Sequence, residues 1–414
     1  MKPELSFRTR MQIHEFITGI GFGLFLAIQG VFFLDRGIDV WQVGLILGVA
    51  PAAAAIFEVP LGALADVRGR IFTFRMSLLV RILAGILLLM GNGIAFLITA
   101  MVLLGIGMAL MSGTIDAWFV EILKSEGKGD EVETHSGIFQ ATMAAGMVLG
   151  SILGGYLPTL APEIAAISGT DWNILWVTVL VIFHFFLTPF LFKEGEARIV
   201  ENDETKTVES RFGIVYQTVK NSYWLKNLLL MGFLVGIGLA IIDAYWQPRV
   251  LEIDSQFSYS LLGWITAGYF VASIIGPLVV TNAAKALNID VKVQVMIVPI
   301  LFSIMIIILS YATSIAGFVS IYLLFILIYS MANPPLFTLL NELVEDEVRA
   351  TMLSLFSLTF TAGAAMSAFV VSQLIRIMGL QDTWRAVGAI LVISFILLAM
   401  GARRKSKNPS RPNS

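Results

Sequence analysis

The sequence predicts an all-α membrane protein with twelve transmembrane helices in two six-helix bundles and both termini in the cytoplasm. Three observations support this prediction. Of the 414 residues, 57% are hydrophobic and only 14% are charged, whereas a soluble domain usually has about 25% charged residues. Charge-free runs have the length of bilayer crossings. One long polar stretch divides these runs into six and six.

The charge-free runs set the number of spans. The 19 residues between Glu15 and Asp35 fit one crossing, which takes roughly 17–25 residues. The 49 residues between Lys292 and Glu342 would extend ~73 Å at ~1.5 Å per residue, so this run must hold most of two helices. The predicted spans are 11–34, 40–65, 72–91, 95–122, 134–157, 172–192, 227–247, 259–284, 291–310, 315–341, 350–377 and 383–401.

The placement of basic residues predicts the orientation of the chain. With the N-terminus inside, 22 of the 27 Lys and Arg residues face the cytoplasm. Arg36, Arg249, Arg376 and Arg385 face outside, and Arg81 lies within a span. This asymmetry follows the positive-inside rule. The first helix is longer than a signal-peptide core, so we expect it to be retained.

A polar linker separates two halves that resemble each other. We expect an N-terminal bundle over 1–192, a cytoplasmic linker over 193–226, and a C-terminal bundle with a short basic tail over 227–414. Similar positions recur at offsets of 213 to 216 residues, and the pairs are Arg36 with Arg249, Gly62 with Gly276, and Asp130 with Asp346. A near-constant offset predicts parallel repeats, as in the two halves of many secondary transporters.

Composition argues against several functional classes. The chain has no cysteine, which removes disulfides, thiol catalysis and Cys-ligated zinc. Its three histidines are scattered, so no metal site or cofactor is predicted. The net charge of −2 gives no bulk attraction to nucleic acid. No G-x-x-x-x-G-K-[ST] phosphate loop is present, so transport would not need ATP.

The loop between the second and third spans reads Gly62-Ala63-Leu64-Ala65-Asp66-Val67-Arg68-Gly69-Arg70. This pattern resembles the signature of the major facilitator superfamily, G-x-L-A-D-R-x-G-R. Val67 stands at the first basic position, and Arg68 follows one place later. We expect a cytoplasmic gate in which Asp66 faces the N-terminus of a helix in the other half and Arg70 reaches Glu121. Ordinary inside-positive loop charges are the alternative interpretation. The predicted gate residues are Gly62, Asp66, Arg68, Gly69, Arg70 and Glu121.

The fifth span resembles the antiporter motif of the same superfamily, G-x8-G-x3-G-P-x2-G-G. Every glycine is in register, and serine replaces the proline. The resemblance implies proton-coupled export, and the glycines predict close packing, which we expect against the eighth span. Generic small-residue packing is the alternative. The motif residues are Gly137, Gly146, Gly150, Ser151, Gly154 and Gly155.

Ionisable residues inside spans are candidate proton sites, because each charge there costs at least ~2.5–3.5 kcal/mol. Glu58 and Asp116 lie at similar depth, and Arg81 is placed to reach either acid. This trio predicts a proton site or, as the alternative, a structural ion-pair network. Glu15, near the inner surface, is interpreted as a solvated end charge, and His184 as a hydrogen-bonded or lipid-edge residue.

The second half contributes candidate substrate residues. Asp243, followed by Tyr245 and Trp246, could bind a cationic or aromatic substrate. An interfacial acid with belt aromatics is the alternative. Asn333, followed by two prolines, should interrupt its helix, giving either a role in substrate access or a plain kink.

The resemblance implies a proton-coupled exporter of small, amphipathic, drug-like molecules in the inner membrane of a bacterium. Its partners would be the small-molecule substrate, protons and the lipid bilayer, and we expect a monomer. An importer or facilitator of a small metabolite on the same fold is the first alternative. A membrane receptor or intramembrane enzyme is the second, and the sequence offers no sensor domain, catalytic domain or metal-ligand cluster for it.

Overall fold

The computed structural model describes residues 6–91, 93–162, 167, 169–193 and 208–407, and these ranges form seventeen α-helices. Within them, eleven helical segments are long and apolar enough to cross a membrane, or twelve if the bent first pair is one span. The predicted helical membrane class is therefore confirmed. The chain divides into two compact units, which are Met1–Asp203 with Ser255–Phe270, and Glu204–Asp254 with Val271–Ser414.

Eight helices precede the linker. They are α1 (Phe7–Leu26), α2 (Gln29–Asp35), α3 (Val40–Arg68), α4 (Arg70–Met90), α5 (Ile94–Met111), α6 (Ile115–Ser125), α7 (Val132–Leu160) and α8 (Asp171–Leu191). Aromatic side chains of α4, α6 and α7 pack into the core of this unit beside Phe192.

Nine further helices are described, and the first of them lies within the predicted linker. They are α9 (Val208–Asn221), α10 (Tyr223–Ile253), α11 (Tyr259–Leu287), α12 (Val291–Ser310), α13 (Ile315–Ser330), α14 (Asn333–Leu343), α15 (Asp346–Met366), α16 (Ser372–Met378) and α17 (Leu380–Lys407). The first half of α11 packs with the first unit, although it follows the predicted linker in the sequence.

Two predicted spans of the first half are broken in the structure. The predicted first span bends by 45° between α1 and α2. The predicted span over 95–122 is found as one candidate span, Ile94–Ser125, but it is not one continuous helix, because α5 ends at Met111 and α6 begins at Ile115. Gly113, between them, has φ +67°, a left-handed conformation that glycine adopts at no steric cost.

The matching span of the second half is also broken. Helix α13 ends at Ser330 and α14 begins at Asn333, as the two prolines after Asn333 predicted. Proline is tolerated in the first turn of a helix, where its missing N–H would have had no partner. The fourth and tenth predicted spans, which correspond in the two halves, are thus interrupted at similar positions along their length.

The linker is only partly described. Residues 194–207 of the predicted linker lie outside the described ranges. Within the rest, α9 is helical, and α10 begins at Tyr223, four residues before the predicted start of the seventh span. The division into domains at 193–226 stays a prediction.

Arg36 and Arg249 have similar surroundings in their respective units. Arg36 donates to the backbone carbonyl of Leu88 at 2.9 Å, and Arg249 donates to that of Ala312 at 2.7 Å. Each arginine also pairs with an acid, Asp171 in one case and Glu252 in the other. These corresponding contacts support the internal repeat that the constant offset predicted.

Candidate functional site

Two carboxyl groups lie near each other in the first unit. Glu15 of α1 is only 8% exposed, and Asp116 is exposed in the first turn of α6, directly after the break. Their charges are close enough to interact, and no ion pair links either acid to a basic side chain in the described part of the chain. Because two carboxylates within range of each other repel when both are ionised, this pair can hold a proton or a cation. The interpretation of Glu15 as a solvated end charge was wrong.

The predicted contact of Arg81 with Glu58 or Asp116 is not formed. Glu58 is exposed and accepts a hydrogen bond from Ser112 Oγ at 3.2 Å. Arg81 instead directs Nη1 to the sulfur of Met111 at 3.7 Å. Among the described residues, no ion pair joins Arg81 to either acid. The three residues therefore do not form the network that their depth suggested.

Two histidines meet inside the first unit. Nδ1 of His14 on α1 lies 3.1 Å from Nε2 of His184 on α8, and both residues are buried. The ring of Phe74 meets both imidazoles edge-on, with centroid distances of 5.1 and 5.5 Å. The charge of Arg81 is close enough to act on both rings. His184 is thus hydrogen-bonded, one of the two alternatives that the sequence left open.

Arg70 joins the loop after α3 to the broken helix α5–α6. Its guanidinium contacts both carboxylate oxygens of Glu121, with Nε at 3.1 Å from each, and Nη1 donates to the carbonyl of Gly113 at 2.6 Å. The Arg70–Glu121 contact expected from the sequence is therefore present. Its role in gating stays a prediction.

The other predicted gate residues differ in what the structure describes of them. Gly69 has φ +93°, so the tight turn between α3 and α4 requires glycine. Arg68 is exposed, and the side chain of Asp66 lies outside the described part of the structure. A Cβ placed at Gly62 would meet no described atom within 4 Å. No described helix therefore packs closely against Gly62.

Three glycines of the antiporter-like motif pack against α1. A Cβ at Gly150 would lie 2.9 Å from Cα of Ile20, and one at Gly154 would lie 3.0 Å from Cα of Leu24. Gly146 similarly faces the backbone of Ile20. The reciprocal glycines on α1 are Gly19 and Gly23, which sequence reasoning missed although their four-residue spacing was visible.

The prediction that the motif glycines pack against the eighth span, α11, was only partly right. Gly155 packs against α11, where a Cβ would come 2.7 Å from Cα of Gly263, and a Cβ at Gly263 would in turn meet the backbone oxygen of Ser151. A Cβ at Gly137 would meet no described atom within 4 Å. Ser151 is buried, and its hydroxyl donates to the carbonyl of Met147 at 2.7 Å. Helix α7 runs unbroken from Val132 to Leu160, so the helix continues where the superfamily motif has proline.

The predicted cluster at Asp243 is not one site. Tyr245 is 1% exposed, and its hydroxyl lies 2.7 Å from the hydroxyl of Ser372. Trp246 stacks on Tyr322 with ring centroids 5.2 Å apart. Asp243 instead lies close enough to Tyr329 to interact electrostatically. Residues two apart on a helix do not face each other, which explains why Asp243 and Tyr245 have different neighbours.

Asn333 lines a mainly apolar pocket inside the second unit. The pocket is small, with a cavity volume of about 40 Å³. Tyr329 and Asn333 contribute polar groups, and Phe356 and Phe360 form part of the apolar wall. The break between α13 and α14 therefore borders a space that a small apolar group can enter.

These features define a multi-pass membrane protein that buries ionisable groups such as Glu15 and His14 inside its first unit. The sequence model described as Major Facilitator Superfamily matches residues 14–368 and 228–414. The chain belongs to the major facilitator superfamily, a superfamily of transporters.

Known relatives agree with this assignment. The chain is similar to an uncharacterized MFS-type transporter, YxaM, of Bacillus subtilis (strain 168), with 23% identity over 396 residues that cover 95% of each chain. Its fold is similar to the crystal structure of the nucleoside transporter NupG, with a TM-score of 0.77 at 14% identity, covering 95% of this chain and 99% of that one. It is also similar to a bacterial homolog of the human lysosomal transporter Spinster in an inward-facing, occupied conformation, with a TM-score of 0.77 at 14% identity over 97% and 98% of the chains. At this identity the structures share the fold alone.

Proposed function

We propose that the protein is a proton-coupled antiporter that exports small amphipathic, drug-like molecules across the bacterial inner membrane by alternating access. The observation that supports this most directly is the Glu15–Asp116 pair, which has no basic partner among the described residues. A proton bound there relieves the repulsion between the two carboxylates. The break before α6 places Asp116 at an exposed position, where a proton can arrive or leave.

The proton gradient supplies enough free energy for export. One proton moving down ~100 mV provides ~2.3 kcal/mol. Since ~1.4 kcal/mol corresponds to one decade of concentration ratio, a one-for-one exchange sustains between one and two decades. In the proposed cycle, the pair takes up a proton when open to the outside and releases it to the cytoplasm, and the substrate moves in the opposite direction.

Everted membrane vesicles from bacteria that produce the protein test both the coupling and the direction. Export predicts that an imposed proton gradient drives accumulation of an amphipathic fluorescent dye in the vesicles and that a protonophore abolishes it. Vesicles with the Asp116→Asn variant should accumulate little dye. Equal accumulation with and without the protonophore would contradict proton-coupled export.

An importer or facilitator of a small metabolite is the second candidate. Packing against α1 accounts for three of the motif glycines, so these glycines favour export less strongly. The similarity in fold to the nucleoside transporter NupG is compatible with import. Import predicts proton-driven uptake into intact cells and no proton-driven uptake into everted vesicles, so the same preparation separates the two candidates.

A further inference from the structure

Arg81 is held far from both ends of α4. It lies eleven residues after Arg70 and nine before Met90, roughly 13–16 Å from either end at ~1.5 Å per residue. Its guanidinium lies 5.6 Å from the ring centroid of Phe22, and its Nη1 contacts the sulfur of Met111. Both neighbours are uncharged, so neither neutralises the guanidinium.

Arg81 differs from other arginines within or beside the helices. Arg36, Arg70, Arg249 and Arg385 each form an ion pair with a carboxylate. Within the described ranges, no ion pair involves Arg81. A cation inside a membrane helix costs at least ~2.5–3.5 kcal/mol and is usually paired. The described part of the chain therefore places a positive charge at Arg81 without an ion-pairing carboxylate.

The residues around Arg81 accommodate its side chain. A Cβ at Gly107 would lie 2.6 Å from Cγ of Arg81, so the glycine leaves room for the arginine stem. The nearby rings of His14 and His184 add N–H donors and no negative charge. Arg81 is only half-buried, which leaves part of it accessible to a ligand. These features give a local region of positive potential bordered by apolar side chains.

We propose that Arg81 binds the carboxylate of the transported molecule, so that the substrates include amphipathic organic anions. The planar guanidinium can donate two parallel hydrogen bonds to a carboxylate, and Phe22 and Met111 provide contacts for an adjacent ring or alkyl chain. This inference rests on the proposed function in that it specifies the substrate of the same carrier. It does not depend on how the transport is driven.

Ligand-dependent thermal unfolding of the full chain in phosphatidylcholine nanodiscs tests the inference. The probes are benzoate and 4-phenylbutyrate, and benzylamine and 4-phenylbutylamine serve as matched cations at equal ionic strength. A ligand that binds the native state raises the unfolding midpoint in a concentration-dependent way. We expect at least one of the two anions to raise it saturably and the amines to leave it unchanged.

Two substitutions of Arg81 and one matched control make the test specific. Arg81→Gln should abolish the anion effect, and Arg81→Lys should raise the half-saturating concentration by about tenfold, because lysine lacks the planar fork. Arg75, on the same helix, stacks on Phe185 at 4.6 Å, and Arg75→Gln should bind the anion like the unmodified chain. If Arg81→Gln does not fold, the lysine variant carries the test.

Three results would overturn the proposal. They are an unchanged anion effect in the Arg81 variants, equal stabilisation by the matched amines, and no saturable anion effect in the unmodified protein. Since this binding is measured without a gradient, it can succeed where proton coupling fails, and the reverse also holds. The two proposals are therefore separately testable.

Discussion

Gly150 of α7 lies against Ile20 of α1 with no room for a side chain between them, since a Cβ there would come 2.9 Å from Cα of Ile20. Gly150→Ala should therefore destabilise the first unit by about 2 kcal/mol, the usual effect of overpacking. The measurement is the unfolding midpoint in nanodiscs. Gly137→Ala is the control from the same motif, because a Cβ at Gly137 would meet no described atom within 4 Å. Equal destabilisation by both substitutions would contradict the packing of α1 on α7.

Asn173 supplies hydrogen bonds that two neighbouring helices lack. Its Nδ2 donates to the carbonyl of Gly154 at 2.8 Å and to that of Leu24 at 2.9 Å. Gly154 would normally bond to the N–H four residues later, but Pro158 has none. Leu24 lies in the last turn of α1, where carbonyls have no helical partner. The buried side chain of Asn173 therefore links α8 to α1 and α7.

Asn173→Leu should lower the free energy of unfolding by about 3 kcal/mol, because it leaves two buried carbonyls without a donor. Pro158→Ala restores an N–H that can bond to Gly154. The loss caused by Asn173→Leu should then be about 1 kcal/mol smaller in the Pro158→Ala background. Denaturant unfolding of the four proteins measures this coupling. Strictly additive effects would show that Asn173 does not replace the missing hydrogen bond.

Arg70 and Glu121 should be energetically coupled. Their side chains are only 23% and 30% exposed, and the arginine contacts both carboxylate oxygens. A double-mutant cycle with Arg70→Gln and Glu121→Gln should give a coupling of about 1 kcal/mol, at the upper end for a partly exposed pair. The matched control is the exposed pair Lys128–Glu126, for which thermal unfolding should show no measurable coupling. The same near-zero coupling for both pairs would remove Arg70–Glu121 as a stabilising contact.

Much of the fold was predictable because membrane helices need long uncharged runs. The α13–α14 break was also predictable, since proline removes a backbone donor. The break at Gly113 was not, because glycine is tolerated inside membrane helices and only the backbone conformation shows that it ends one. Sequence reasoning therefore located most of the spans and missed an interruption next to the candidate site.

The candidate site was harder to predict because it depends on contacts between distant residues. Glu15 and Asp116 are 101 positions apart in the sequence. The position of Glu15 along its helix did not show whether its side chain faces the protein interior or the surroundings. The separation of Tyr245 from Asp243 could have been predicted from sequence alone, because residues i and i+2 lie on different faces of a helix. The four-residue spacing of Gly19 and Gly23 was a similar signal for the partner of α7.

The central claim is that the Glu15–Asp116 pair couples substrate movement to protons. Proton-driven transport by reconstituted proteoliposomes tests this claim most directly. The unmodified protein should accumulate an amphipathic dye against its gradient when a pH difference is imposed. Asp116→Asn and Glu15→Gln should abolish this accumulation but keep dye exchange at equal pH, while Glu126→Gln, at an exposed ion pair, should retain both activities. Dye flux that is indifferent to the pH difference, or undiminished accumulation by both acid variants, would contradict the claim.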